Sequence, residues 1–322
     1  MDLTSPTNIK ELLAKYKTSP SKRLGQNFLI DKNVLDKIIT SADLRPSDTV
    51  LEIGPGIGTL TQELAKSAGQ VIAIEKDRAM VEILSETLKD YKNTEIIQGD
   101  ILKLSFASLR GKSEATDEAI QSYRLPRRLL APRNDEVKNY KVVANIPYYL
   151  TSPLIRKFLE LNPPDGGPPS EMVLMIQKEV AQRICAKPPE MSLLAVSVQF
   201  YADAKIVSYV SKNCFWPAPK VDSAIIKITP HIPGVIARSL QVADPARATW
   251  QSRVREQEIF FKIVKAGFSQ PRKQLAGNLK SLKLSSGEIK TWLAKNNINP
   301  TQRAETLSVD DWKNIAETFL KW

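Results

Sequence analysis

Asn145, Ile146, Pro147 and Tyr148 are the residues of this chain whose types and order best suit chemistry on a planar base. An exocyclic amine such as adenine N6 is a poor nucleophile, because its lone pair is delocalised into the ring. Two acceptors, the side-chain oxygen of Asn145 and the backbone carbonyl of Ile146, could take both amino hydrogens and draw the nitrogen toward tetrahedral geometry. That frees the lone pair. Pro147 stiffens the turn so that the carbonyl faces a pocket, and Tyr148 offers a ring on which a base can stack, a contact contributing roughly 1 to 3 kcal/mol. Taken alone, the tetrapeptide could equally be a strand ending in a proline turn.

Three further motifs precede it in order: Glu52-Ile-Gly54-Pro-Gly56-Ile-Gly58, then Glu75, then Gly99-Asp100. A glycine-rich turn lets the backbone approach a ligand, since glycine lacks Cβ and tolerates positive φ. Glu75 follows about 20 residues on, where a carboxylate can accept hydrogen bonds from both ribose hydroxyls of a nucleoside cofactor. These two features suit a nicotinamide and S-adenosylmethionine equally. The spacing Gly-x-Gly-x-Gly and the acid Glu52 just ahead of it favour S-adenosylmethionine, which has a sulfonium cation and an amino-acid end but no pyrophosphate to seat on a helix N-terminus. Asp100 can then accept from the exocyclic amine of the cofactor's own adenine. With a sulfonium leaving group no strong base is required, and the protein's task is mainly to position reactants.

The elements that must hold these motifs are legible from periodicity. Apolar runs at 49–53, 71–75, 94–98, 140–145 and 171–177 read as buried strands, and helical patterns at 59–66, 78–88 and 152–161 fall between most of them. This alternation is the doubly wound α/β pattern, in which strand tips line one crevice. Runs at 204–210 and 222–229 are expected to complete the sheet as an antiparallel edge hairpin. Ile9, Leu12, Leu13 and Tyr16 mark a short amphipathic helix ahead of the basic stretch Lys22-Arg23. Residues 106–139 break the rhythm and read as a surface insertion, and 162–170 as a plain surface loop. The expected organisation is a Rossmann-like class I methyltransferase sheet over 1–230, a linker over 231–251 and a small all-α domain over 252–322. Ser285 with Glu288, and Ser308 with Asp311, look like capping boxes opening helices there.

Composition limits the alternatives. Lysine and arginine outnumber acids 46 to 35, a net charge of +11, which favours a polyanionic partner. The single histidine, His231, lies in the expected linker and leaves no basis for a zinc site of usual ligand density or for a serine-histidine-acid triad with a histidine in reserve. No metal is expected. Cys185 and Cys214 are too few for a disulfide framework and are expected to be small buried apolar residues in a reducing compartment. With no apolar run long enough to span a bilayer and no signal-peptide pattern, a cytoplasmic protein is expected.

Across most of its length the sequence resembles the ribosomal RNA small-subunit adenine dimethyltransferases, the KsgA family. The resemblance is carried by Leu24-Gly25-Gln26-Asn27-Phe28-Leu29, Leu51 to Gly56, Gly99-Asp100, Asn145 to Tyr148 followed by Thr151-Ser152-Pro153-Leu154, Gln177 to Ala181, and Phe215-Trp216-Pro217-Ala218-Pro219-Lys220-Val221-Asp222-Ser223. It implies transfer of two methyl groups to N6 of each of two adjacent adenosines in a hairpin near the 3′ end of small-subunit (16S) ribosomal RNA, by a monomer. Cofactor contacts would come from Asn27, Leu29, Gly54, Gly56, Glu75, Asp100 and Asn145, and Phe215 would face Tyr148 across the target base. RNA phosphates would be met by Lys22, Arg23, Lys262, Lys265, Arg272 and Lys273. Tyr149-Leu150 departs from the family's usual Asn-Ile, and the insertion and linker look long. Rivals are a macrolide-resistance dimethyltransferase acting on large-subunit RNA, a non-catalytic RNA-binding assembly or transcription factor on the same fold, and, more distantly, a nicotinamide dehydrogenase.

Overall fold

The computed structural model describes residues 1–104, 140–161, 167–231 and 250–320. The insertion expected at 106–139 lies outside the described residues, as do 232–249 of the linker and 162–166 of the surface loop. Two compact units are present, Met1–Ala181 with Lys205–Pro230, and Gln182–Ala204 with His231–Trp322.

The first unit is a Rossmann-like α/β layer structure. Its sheet has seven strands in the order β4-β3-β2-β5-β6-β9-β7: β2 (Thr49–Ile53), β3 (Gln70–Glu75), β4 (Thr94–Gln98), β5 (Tyr140–Asn145), β6 (Glu171–Gln177), β7 (Ala202–Val210) and β9 (Ser223–Pro230). The first five of these run parallel to their neighbours, and β9 is antiparallel to β6. The edge expected from the sequence therefore forms with β9 inside and β7 outermost. Every residue of β2 is buried, as a strand covered on both faces requires.

Helices α3 (Thr59–Ser67), α4 (Arg78–Thr87) and α5 (Thr151–Leu159) follow the expected periodicity, and α2 (Lys32–Ala42) is a helix beyond those expected. Val34, Leu35 and Ile38 of α2 share a core with Val50, Val71, Val143, Val173 and Ile225 of the sheet. The end of α2 is held electrostatically. Lys141 Nζ donates to the carbonyls of Ala42 at 2.8 Å and Asp43 at 2.6 Å, and Lys227 Nζ to that of Ser41 at 3.0 Å. Cations suit these carbonyls because a helix C-terminus leaves them unpaired and partially negative. Helix α1 (Pro6–Lys15) is capped by Ser5 and buries Ile9, Leu12 and Leu13 with Phe28, Ile57, Met80 and Ile83. A two-stranded ribbon pairs β1 (Phe28–Leu29) with β8 (Phe215–Trp216).

The second unit differs from the segment expected at 252–322. It takes in Gln182–Ala204, and its long helix begins inside the expected linker, as α8 (Trp250–Gly267). The physical reason is an aromatic cluster. Phe200 lies 4.2 Å from Phe260 and 5.3 Å from Phe261 between ring centroids, and Tyr201 stacks on Phe261 at 5.8 Å. Residues 182–204, which include α7 (Leu193–Gln199), thus belong to the C-terminal core. His231 is not a free linker residue either, since its N–H donates to the Tyr201 carbonyl at 2.8 Å. Helices α9 (Leu275–Leu279), α10 (Ser286–Lys295) and α11 (Val309–Leu320) complete the unit. Ser285 and Glu288 form the expected reciprocal capping box, and Ser308 and Asp311 bond reciprocally in the same way at 2.8 and 3.1 Å. Cys185 and Cys214 are free and half-buried, not fully buried as expected, and Cys214 Sγ reaches Asp31 at 3.4 Å.

Gly69 sits where α3 turns back into β3, and a Cβ there would lie 2.1 Å from the Pro46 carbonyl oxygen. Backbone cannot rotate away as a side chain can. Gly69→Ala is expected to destabilise the first unit by about 1 to 3 kcal/mol, read as a melting midpoint several degrees below that of the parent.

Candidate active site

The loops leaving the carboxyl ends of β2, β3, β4 and β5 and the segment entering β1 line one pocket. Asn27, Leu29, Gly54, Gly56, Glu75, Asp100, Asn145, Ile146, Pro147, Tyr148 and Phe215 all line it. Convergence follows from topology, because parallel strands put their carboxyl ends on one edge of the sheet. Of the residues expected at RNA phosphates, Lys22 and Arg23 lie exposed in the turn just before the pocket-lining Leu24. Lys262, Lys265, Arg272 and Lys273 are exposed on the second unit.

Glu75 organises the cofactor side. Its carboxylate is buried and accepts from the Gly56 N–H at 3.1 Å and the Asp77 N–H at 2.8 Å. Gly56 has φ of +60°, and the Phe28 ring lies where its Cβ would point, 3.2 Å away. Glycine is favoured there on both counts. Asp77 caps α4 through Ala79 and accepts from Gln26 Nε2 at 2.8 Å, which ties the segment entering β1 to the end of β3. Burial raises the pKa of Glu75, against the opposing effect of its backbone donors.

Glu52 behaves unlike a simple acid. Only 1 % exposed, it carries an Oε2 without a hydrogen-bond partner, and burial, with Glu75 adding repulsion, pushes its carboxyl up to about 8. At neutral pH it is a protonated acid. Asp100 is the opposite case. Burial works against its charge, but the Lys76 ammonium at 2.9 Å and the Leu102 N–H at 3.0 Å win, and its pKa falls.

On the base side, Asn145 Nδ2 donates to the Asn27 carbonyl at 3.2 Å, which sets the plane of the amide. The Ile146 N–H donates to the Met175 carbonyl at 3.2 Å. Pro147 packs across two loops at once, with its ring 3.4 Å from where a Gly54 Cβ would stand and 3.5 Å from one on Gly25. Tyr148 Oη and Ser223 Oγ are hydrogen-bonded at 2.9 Å, and burial raises the phenol's pKa, keeping it neutral. Phe215 is buried at 4 % exposure and paired with Leu29.

The family model for ribosomal RNA adenine dimethylases matches residues 18–242. The chain belongs to that family. Among relatives, it is 42% identical over 311 residues to a ribosomal RNA small subunit methyltransferase A from Dehalococcoides mccartyi, covering 96% of this chain and 92% of the relative. A dimethyladenosine transferase from Plasmodium falciparum superposes with a TM-score of 0.63 at 26% identity, over 91% of this chain and 98% of that one. The 23S rRNA methyltransferase ErmE, at 24% identity and a TM-score of 0.62 over 90% of this chain and 98% of its own, shares the fold.

The donor set of this dimethylase-family chain fits S-adenosylmethionine. Backbone with positive φ at Gly54 and Gly56 leaves a cradle that side chains would fill, and Glu75 presents a buried carboxylate to it. Among the described residues no group of three or more histidines, cysteines or acids is placed to hold a metal. Sequence reasoning missed Lys76 and Tyr149 as lining residues. Lys76 follows Glu75 directly, and that adjacency was the available signal. Tyr149, 51% exposed at the pocket, was noted only as a departure from the family pattern.

A solvated glutamic acid in the unfolded chain ionises near 4.5, whereas Glu52 holds its proton to about 8. Raising the pH through this window therefore favours the unfolded chain, by at most about 1.4 kcal/mol per pH unit. Glu52→Gln removes the titration. The variant's melting midpoint is expected to gain on the parent's steadily between pH 5 and pH 8, and parallel curves would show that Glu52 is ionised throughout.

Proposed function

We propose that this protein dimethylates N6 of two adjacent adenosines in a hairpin near the 3′ end of small-subunit ribosomal RNA, as a cytoplasmic monomer acting in ribosome biogenesis. The observation that carries the reading is the single pocket in which the Asn145–Tyr148 turn faces the glycine turn and Glu75. S-adenosylmethionine, when bound, supplies an electrophilic methyl group on a sulfonium leaving group. Glu75 accepts from the ribose hydroxyls, each charge-assisted bond contributing about 1.5 to 3 kcal/mol, while Asn27, Leu29, Gly54, Gly56 and Asp100 line the rest of the cradle. Asn145 and the Ile146 carbonyl accept the two amino hydrogens of the target adenine. Tyr148 and Phe215 enclose the extruded ring and exclude water from it.

The first unit, residues 1–181 and 205–230, is assigned the transfer chemistry and the C-terminal helices an RNA-holding role. Lys22, Arg23, Lys262, Lys265, Arg272 and Lys273 would meet phosphates, since structured RNA is held mainly by backbone and shape. The names of the curated relatives support small-subunit RNA as the substrate. The long C-terminal helical part and the Phe-Trp-Pro-Ala-Pro-Lys run support the same choice over a large-subunit enzyme.

Incubation with labelled S-adenosylmethionine and each ribosomal subunit lacking these methyl groups tests this. Label is expected in small-subunit RNA alone, as two dimethyladenosines per particle. Label confined to the large subunit would favour the macrolide-resistance reading, and cofactor binding without transfer the non-catalytic one.

Asn145→Ala is expected to lower turnover about 100-fold or more, as removal of one preorganised polar contact does. Cofactor affinity should fall far less. Single-turnover kinetics beside calorimetry separates the two, and near-normal turnover would sink the assignment.

A further inference from the structure

A second feature of the first unit lies outside the pocket but is joined to its base side. Tyr209, near the end of the edge strand β7, is 54% exposed, and Lys178 Nζ stands 5.2 Å from its ring centroid. Val207, on the same outward row, is 39% exposed. The exposed half of this ring, beside an ammonium, is open to a ligand. Beyond Lys178, hydrogen bonds and chain neighbours lead from Tyr209 to the pocket. The Lys178 N–H donates to the Asp222 carbonyl at 3.0 Å, Asp222 Oδ1 accepts from the Lys212 N–H at 3.0 Å, and the next residue, Ser223, holds the Tyr148 hydroxyl at 2.9 Å. Lys212 and Lys220 are both exposed, on either side of the Phe215–Trp216 strand.

We propose that Tyr209, with Lys178, Lys212 and Lys220, is a contact site for single-stranded RNA flanking the target adenosine, with one unpaired base stacked on Tyr209 and adjacent phosphates met by the lysines. The occupant follows from chemistry. A base that enters the Tyr148 pocket leaves its strand locally unpaired, and unpaired bases bind on exposed aromatic faces next to cationic side chains. Lys178 at the ring asks for an anionic occupant, and the flat apolar ring face selects RNA over an acidic peptide, because a base can stack on it where a carboxylate cannot. The inference rests on the RNA-methylation reading above, and it adds a surface that reading does not use.

The test compares the full-length parent with Tyr209→Ala, Tyr209→Phe and the double variant Lys212→Ala/Lys220→Ala, using small-subunit RNA and small subunits lacking the methyl groups. Tyr209→Ala is expected to raise both the RNA dissociation constant and the KM for RNA about 5- to 100-fold. Turnover at saturating RNA, cofactor affinity by calorimetry and the melting midpoint should stay at parent values, as expected for an exposed side chain. Tyr209→Phe keeps the ring and should stay near the parent. The double lysine variant should flatten the slope of log affinity against log salt by about 1.4, two single-strand phosphates. Parent-like RNA affinity in Tyr209→Ala overturns the proposal. So does a defect seen on subunits but not on RNA, which would make the patch a protein-docking surface. If the parent itself neither binds nor methylates ribosomal RNA, the functional reading fails first, and the two failures are distinguishable.

Discussion

A carboxylate withdrawn from water must be met by donors, and the way Glu75 is met holds the site together. Its two oxygens take the N–H groups of Gly56 and Asp77, which lie on different loops. Asp77 in turn caps α4 and receives Gln26, and Gly56 lies under Phe28. The result is a closed circuit: residues 26–28 are attached to the sheet at both ends through one buried acid. Glycine is the least strained residue at position 56, where positive φ and the Phe28 ring coincide. Loss of the carboxylate would therefore strand two backbone donors at the pocket wall.

The same economy governs the neighbouring charges. Glu52 and Glu75 are too close and too buried to be ionised together at low cost, and Glu52, which lacks backbone donors of the kind Glu75 has, keeps its proton. Asp100 stays charged because Lys76 stands beside it. A cation arriving in the pocket would meet one buried carboxylate, one latent acid and one carboxylate already neutralised by a lysine. Net charge alone hides this, since the protein carries +11 overall while its pocket is acidic.

On the opposite wall, Pro147 packs close to both Gly25 and Gly54, so the Asn145–Tyr148 turn lies against the glycine turn after β2. The Asn27 carbonyl accepts from Asn145, which makes the segment before β1 part of both halves of the site. Tyr148 reaches β9 through Ser223 and connects the pocket to the sheet's antiparallel edge. The second unit has its own aromatic core around Phe200 and Phe260, with Trp292 and Trp312 fully buried.

The seven sheet strands and helices α1, α3, α4 and α5 were legible because an apolar run or a 3.6-residue pattern survives without tertiary information. Helix α2 and the β1–β8 ribbon were not, and β4, expected as buried, is half-buried with Gln98 exposed. The candidate site was legible for a related reason: glycines, an acid and a proline turn at strand ends have few structural uses in combination. What sequence could not supply was membership decided by distant contacts. Residues 182–204 belong with the C-terminal helices because Phe200 and Tyr201 find Phe260 and Phe261 some sixty residues on. The protonation of Glu52, the neutralisation of Asp100 by Lys76 and the exposure of Tyr209 likewise depend on what each side chain meets in space. By itself the sequence determined the order of elements and the chemical groups brought to one edge of the sheet, because both follow from local periodicity and chain order. The tertiary structure alone decided which of those groups are charged, which are buried and which face solvent, because burial and electrostatic partners are properties of neighbours the chain supplies only when folded.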